Sequence, residues 1–147
     1  PGGEELRGLG GAVGEGAGSN GAPIHSRTCP ELAQATLATT GPNYFTPKEG
    51  DHFMALAKGC AHKRLIFGGD CYNYGLLASG HIDLVCEAGL KLHDFAALVP
   101  VVESAGGMMC DWNGEPLSAA SADDGGGHVL ALGDPARLED VLTALAG

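Results

Sequence analysis

The sequence predicts an α/β sandwich, and three observations carry the prediction. From Cys29 onward, short apolar runs of strand length alternate with longer segments at helical spacing. Gly-Pro, Gly-Gly and Asn-Gly pairs punctuate the joints. Polar groups cluster just after the strand-like runs, where open α/β sheets place their ligands.

The elements follow in order. Residues 1–27 are punctuated by glycine, with Asn20-Gly21 as a tight-turn signal between a strand and a short strand. Ala12-Val13 and Pro23-Ile24 are its main apolar sides, too few for a core. "CPELAQATLATTGP" predicts a helical turn with Pro30 at its first position, then a strand over 35–40 that Gly41-Pro42 stops. In "TPKEGDHFMALAKG", Thr46, Pro47 and Glu49 form a capping-box pattern, and Phe53, Leu56 and Ala57 mark one helical face. "RLIF" is a short strand, turned by Gly68-Gly69. "DCYNYGLLASG" is a helix with Asp70 near its start and Gly80 as its stop. In "HIDLVCEAG", Ile82, Leu84 and Cys86 alternate with Asp83, Val85 and Glu87, which predicts a strand with one apolar face. A helix over 94–105 follows, with Pro100 inside it as a kink and Gly106-Gly107 as its end. "MMCDW" and "GHVLALG" are strands around Asn113-Gly114, and "DPARLEDVLTALA" closes the chain as a helix capped by Asp134 with Pro135 at its first position.

Composition narrows the function. The chain of 147 residues is long enough for one domain with a core. Eight Lys+Arg against 18 Asp+Glu give a net charge of −10. Lys63-Arg64 is the one adjacent basic pair, so no basic face exists for a nucleic-acid backbone. An acidic cleft suits hard cations, which take oxygen ligands. Five scattered cysteines, without CxxC, predict reduced and buried thiols. The six histidines form no HExxH or HxH set, and His93 reads as a packing or rim residue. No apolar run approaches the ~20 residues of a membrane helix. A start at Pro1 rather than Met, with glycine-rich 1–21 behind it, reads as a piece of a longer protein or a flexible leader.

Three places concentrate chemistry. "FGGD" lets backbone approach a ligand at a strand-to-helix turn, or is simply a sharp turn with Asp70 as a cap. Glu87 closes an apolar strand and can accept from a polyol or an ammonium, or it is a solvated strand end. Asp94 stands before the run Phe95, Leu98, Val99 and Val102, as the cap of a helix or as a ligand held at its start.

Taken together, "GGDCYNYGLLASGHIDLVCEAGLKLHDFAALVPVVESAGG" resembles the C-terminal half of the inositol monophosphatase-like, metal-dependent phosphatases. The family's C-terminal signature appears as His93-Asp94-Phe95-Ala96-Ala97 through Glu103-Ser104-Ala105-Gly106-Gly107, and the text is most similar to the histidinol-phosphatase branch. The resemblance runs from about Gly21 to the end. It implies a layered αβαβα sandwich, with 1–27 as the glycine-rich end of the N-terminal half and 28–147 as the C-terminal domain. It implies that Asp94 binds Mg²⁺, that Glu87 contacts the non-phosphate part of the substrate, and that Gly68, Gly69 and Asp70 line the pocket. The family's usual arginine before the Gly-Gly turn is replaced by Ile66 or displaced to Arg64. The family's D-P-x-D-G-T/S ligand motif is absent, since Asp134-Pro135 runs on into Ala136-Arg137. Catalytic residues are therefore expected in an N-terminal half outside this chain, and the chain alone is expected to be inactive.

The implied reaction is Mg²⁺-dependent hydrolysis of histidinol phosphate to histidinol, on the way to histidine. Inositol monophosphate or a nucleotide 3′-phosphate as substrate, and a non-catalytic binding domain, are the rivals. A nucleotide-binding α/β domain ranks last, because GxGxxG and GxxxxGK-S/T are both missing. The expected partner is a small phosphate monoester, in a homodimer, without nucleic acid or membrane, in cytoplasm or plastid stroma.

Overall fold

The computed structural model describes residues 9–12 by their backbone, and residues 16–60 and 64–147 in full. Val13, His62 and Lys63, which figured in the sequence reading, lie outside the described residues. Two sheets organise the chain. The smaller is antiparallel, in the order β1 (Leu9–Ala12), β2 (Gly16–Ser19), β3 (Ala22–Ile24). Asn20 (φ 52°) and Gly21 (φ 79°) make its tight turn, as the sequence predicted. The larger sheet joins β4 (Leu37–Thr39), β5 (Leu65–Phe67), β6 (Leu84–Glu87), β7 (Met108–Cys110) and β8 (Val129–Leu132) in the order β5-β4-β6-β8-β7. Strands β5, β4 and β6 are parallel; β8 runs against both of its neighbours.

Helices cover both faces of the larger sheet. On one face Leu37, Leu84, Cys86 and Leu130 pack with Phe53 and Leu56 of α1 (Pro47–Gly59) and Val141 and Leu145 of α6 (Leu138–Ala146). On the other face Ala38, Val85, Met109 and Val129 pack with Tyr74 and Leu77 of α2 (Tyr72–Ala78), with Phe95 of α3 (Leu92–Phe95), with Val102 of α4 (Leu98–Ser104) and with Ala122 of α5 (Ala119–Asp123). Helix α4 carries the smaller sheet on its far side, where Ala17 and Ile24 meet Val101 and Ala105. The layers thus run helix, sheet, helix, sheet. This is the α/β sandwich the sequence called for.

Several local expectations hold. The Thr46 hydroxyl accepts the Glu49 N–H at 3.4 Å, and the Glu49 carboxylate accepts the Thr46 N–H at 2.7 Å. The same Glu49 pairs with the His128 imidazole at 2.7 Å, tying α1 to the entry of β8. Asp134 accepts the Ala136 N–H, although a 3-10 turn separates it from α6.

Others need correction. The Pro30 segment forms a 3-10 turn at Leu32–Gln34, with Pro30 outside it. Between β7 and β8 lies α5, which the Asn-Gly turn signal hid. The helix expected over 94–105 is broken at Ala96 and Ala97 into α3 and α4. The break puts Pro100 in the first turn of α4, where its missing N–H has no helical partner to lose, so no kink is required. Strand β6 is buried on both faces, not one. Its apparent polar alternation is of buried, partnered carboxylates: Asp83, just before it, pairs with Arg27, and Glu87 at its end accepts from Thr40.

Candidate active site

The carboxyl ends of the three parallel strands build one cavity. After Phe67 the chain turns through Gly68 (φ 84°), Gly69 (φ 97°) and Asp70 (φ 43°), three left-handed residues in succession. Glycine adopts that region freely, and aspartate is among the few other residues that tolerate it. The turn is pinned from both sides. The Gly68 N–H donates to the Thr40 carbonyl at 2.8 Å, and the buried Asn73 amide donates to the Gly68 carbonyl at 2.8 Å. A Cβ at Gly69 would stand 2.5 Å from that Asn73 oxygen, so the second glycine is required by close approach as well as by φ. Gly68 and Gly69 deliver Asp70 to the cavity and are not part of its wall.

Strand β4 leads into Thr40, and β6 ends at Glu87 beside it. Glu87 is 3% exposed, which removes the solvated-strand-end reading. One carboxylate oxygen accepts both the Thr40 N–H (3.0 Å) and the Thr40 hydroxyl (2.7 Å). The other has a single long contact, 3.4 Å from the Thr39 hydroxyl. Burial pushes the Glu87 carboxyl above its ordinary value, against the lowering effect of the Thr40 and Thr39 hydrogen bonds.

Asp94 comes from α3. It sits at the third helical position rather than as the N-cap. One of its oxygens accepts the Lys91 N–H at 2.8 Å, so it satisfies the helix start from within. The other oxygen lies 3.4 Å from the His93 ring and stays accessible. His93 is 83% exposed at the rim, as expected.

Asp70, Glu87 and Asp94 therefore line a single cavity of about 510 Å³, with Thr40, Tyr44, Cys71, Tyr74, Leu90 and His93 among the other lining residues. Thr40, Tyr44 and Tyr74 were not singled out from the sequence. A threonine after a strand carries no signal until its carboxylate partner is seen. Cys71 is a correction: it is exposed at the cavity, whereas the other four cysteines are buried. Burial raises the thiols of Cys60 and Cys110 to about 12, which leaves them protonated and inert. Tyr74 is 2% exposed, its hydroxyl has no hydrogen-bond partner, and burial followed by the nearby Glu87 charge pushes its phenol well up. A buried unpartnered hydroxyl costs about 1–3 kcal/mol.

Among the described residues no Lys or Arg lines the cavity. Three carboxylates without a lysine or arginine among them repel an anion and attract a cation. Asp94 offers the hard oxygen that Mg²⁺ prefers, but in number the donors fall short. Among the described residues no group of three or more His, Cys, Asp or Glu is placed to hold an ion.

The burial of Glu87 makes a stability prediction. The folded chain holds that proton more tightly than the unfolded chain, because burial raises the folded pKa. The resulting stabilisation is full below the ordinary carboxylate value and is lost as pH rises through the raised one. Glu87→Gln keeps an acceptor for Thr40 and removes the charge. Its stability relative to wild type is expected to improve in urea unfolding as pH rises from the ordinary carboxylate value through the raised one. A difference that does not move with pH would show that burial of the charge is not what matters there.

The fold is thus an α/β sandwich with an acidic cavity at the carboxyl ends of its parallel strands. Comparison with known proteins is specific: residues 7–143 match the inositol monophosphatase family, and the chain belongs to it. It is 42% identical over 129 residues to the bifunctional phosphatase IMPL2, chloroplastic, of Arabidopsis thaliana, covering 86% of this chain and 37% of that protein. It is 30% identical over 132 residues to the histidinol-phosphatase of Chlorobaculum parvum, covering 84% and 50%. The solved inositol monophosphatase from Zymomonas mobilis superposes with a TM-score of 0.86 at 47% identity, covering 93% of this chain and 52% of that one. The chain spans half or less of the length of these two curated relatives.

Proposed function

We propose that the protein carrying this chain is a Mg²⁺-dependent phosphomonoesterase acting on histidinol phosphate. The observation that carries the reading is the convergence of Asp70, Glu87 and Asp94 on one cavity whose described lining holds no lysine or arginine. A phosphate dianion enters such a cavity only with cations. In this reading Asp94 gives one carboxylate oxygen to Mg²⁺, and the remaining ligands come from outside this chain. The bound ion would neutralise the phosphoryl oxygens and activate the attacking water. Glu87 and Asp70 hold the leaving alcohol, and their charge favours an alcohol that carries a protonated nitrogen. The identity to the Chlorobaculum parvum histidinol-phosphatase supports this choice.

Inositol monophosphate is the second reading, favoured by the 47% identity to the Zymomonas mobilis inositol monophosphatase. A nucleotide 3′-phosphate and a non-catalytic binding role are the further alternatives, the latter drawing on the 30% identity to the Nus factor SuhB of Pasteurella multocida. For the compartment, the plastid stroma draws support from the chloroplastic Arabidopsis thaliana relative, and the cytoplasm is the alternative. No described helix is long and apolar enough to cross a membrane.

The test is phosphate release by the full-length protein from histidinol phosphate, inositol monophosphate and a nucleotide 3′-phosphate. Histidinol phosphate is expected to lead in kcat/KM by at least about tenfold, a margin that charge-matched polar recognition readily supplies. Chelation of Mg²⁺ is expected to abolish release, and the present chain alone should give none. A lead for inositol monophosphate would transfer the assignment to it.

A further inference from the structure

Tyr74 is the residue of the cavity whose chemistry the reading above leaves unused. Its ring belongs to the core under the larger sheet, in the cluster that holds Ala38, Leu77, Val85 and Phe95. A phenylalanine would fill that space. The hydroxyl adds only a polar atom, shielded from bulk water and without a hydrogen-bond partner. Buried polar groups of this kind need a reason. The reason lies in its neighbours, because Tyr74 lines the same cavity as Glu87, Asp70 and Asp94.

The Glu87 carboxylate has one oxygen saturated by Thr40 and one nearly open, with its single contact at 3.4 Å. Two under-used acceptors therefore belong to residues that line the cavity: the Glu87 oxygen with its one long contact and the buried Tyr74 hydroxyl. Among the described residues no Lys, Arg or amide side chain lines the cavity to use them, and the His93 imidazole lies beside Asp94. The group that would satisfy both carries several N–H donors and a positive charge. A phenol accepts from such a group and can still give its own proton to a carboxylate.

Resting on the proposed phosphatase reading, we infer that Tyr74 is a specificity-determining residue whose hydroxyl, with the open oxygen of Glu87, recognises a protonated nitrogen on the alcohol part of the substrate. This also separates the roles of the acids. Asp94 serves the phosphate end, and Glu87 with Tyr74 serves the amine end. A site built around a buried polar partner rejects ligands that lack the matching group, so the hydroxyl sets selectivity rather than rate.

The experiment compares Tyr74→Phe with wild type in the full-length protein, on histidinol phosphate and on 4-nitrophenyl phosphate, which has no amine. The ratio of kcat/KM for the two esters is expected to fall about tenfold in the variant, mainly through KM for histidinol phosphate. The melting temperature should be unchanged or higher, since only an unpartnered hydroxyl is removed. Equal losses on both esters, or an unchanged ratio, would overturn the inference. If wild type hydrolyses neither ester, the phosphatase reading itself fails. Tyr74 is then judged on calorimetric binding of L-histidinol, where about tenfold weakening supports the inference and unchanged affinity overturns it.

Discussion

Asp94→Asn in the full-length protein is expected to lower Mg²⁺-dependent phosphate release by roughly 100-fold or more, with little change in melting temperature. The two halves of this expectation come from the two oxygens of one carboxylate. The first accepts the Lys91 N–H at 2.8 Å and closes the start of α3. An asparagine oxygen can do the same, so the helix start survives. The second faces the cavity, and there the charge matters. Replacing a carboxylate ligand by a neutral amide removes charge stabilisation of the ion, whose contribution to the transition state is several kcal/mol, and each 1.4 kcal/mol is about tenfold in rate. The measurement is phosphate release titrated with Mg²⁺, beside a thermal melt. Activity within a few-fold of wild type at saturating Mg²⁺ would return Asp94 to a purely structural role. A large fall in melting temperature would show that the hydrogen bond to Lys91 needs the charge.

The same residue shows how far the sequence was legible. The run behind Asp94 placed it near a helix start, though that start belongs to the short α3 and most of the run to α4. It could not show that the helix breaks two residues later. Pro100 lacks the N–H that a continuous helix would direct at the Ala96 carbonyl. That penalty can be met by a kink or by ending one helix and starting another, and the packing of Phe95 and Val102 against one core decided for the second. Strand β6 teaches the converse. Alternation of apolar and polar residues is the mark of a half-exposed strand only where the polar residues reach water. Here Asp83 and Glu87 find partners 56 and 47 residues away in the chain, Arg27 and Thr40. Pairings at that separation leave no local trace, so the buried Glu87 and its Thr40 support had to be seen. The cavity was more legible than its walls. Gly68, Gly69 and Asp70 carried the turn in their own chemistry, while Thr40, Tyr44 and Tyr74 joined the wall through topology.

Asp83→Ala is expected to be the most damaging of these substitutions to stability, by about 2–3 kcal/mol, because the carboxylate holds three segments at once. Arg27 approaches it in a fork, Nε at 2.8 Å and the terminal nitrogen at 2.7 Å. One of its oxygens also accepts the buried Thr36 N–H at 2.8 Å. Asp83 itself is 4% exposed, and its backbone bridges β4 and β8, donating to the Thr36 carbonyl and accepting from the Gly133 N–H. The pair thus fastens the segment after β3, and with it the smaller sheet, to the larger sheet. Removing one partner of a buried pair typically costs about 3–5 kcal/mol. The value here is lower because Arg27 is 39% exposed and can turn to water once released. The Thr36 N–H cannot, and losing its acceptor accounts for about 1–3 kcal/mol of the total. For a chain of this size the melting temperature should fall by about 5–10 °C. Asp83→Asn separates the two contributions, since its amide oxygen can keep the Thr36 N–H while the ionic fork is lost. Asn is expected to recover about half of the deficit of Ala. If Asn is as damaging as Ala, the charge on Arg27 is the dominant contribution. If Arg27→Ala leaves stability unchanged, the fork contributes nothing and Thr36 carries the joint alone.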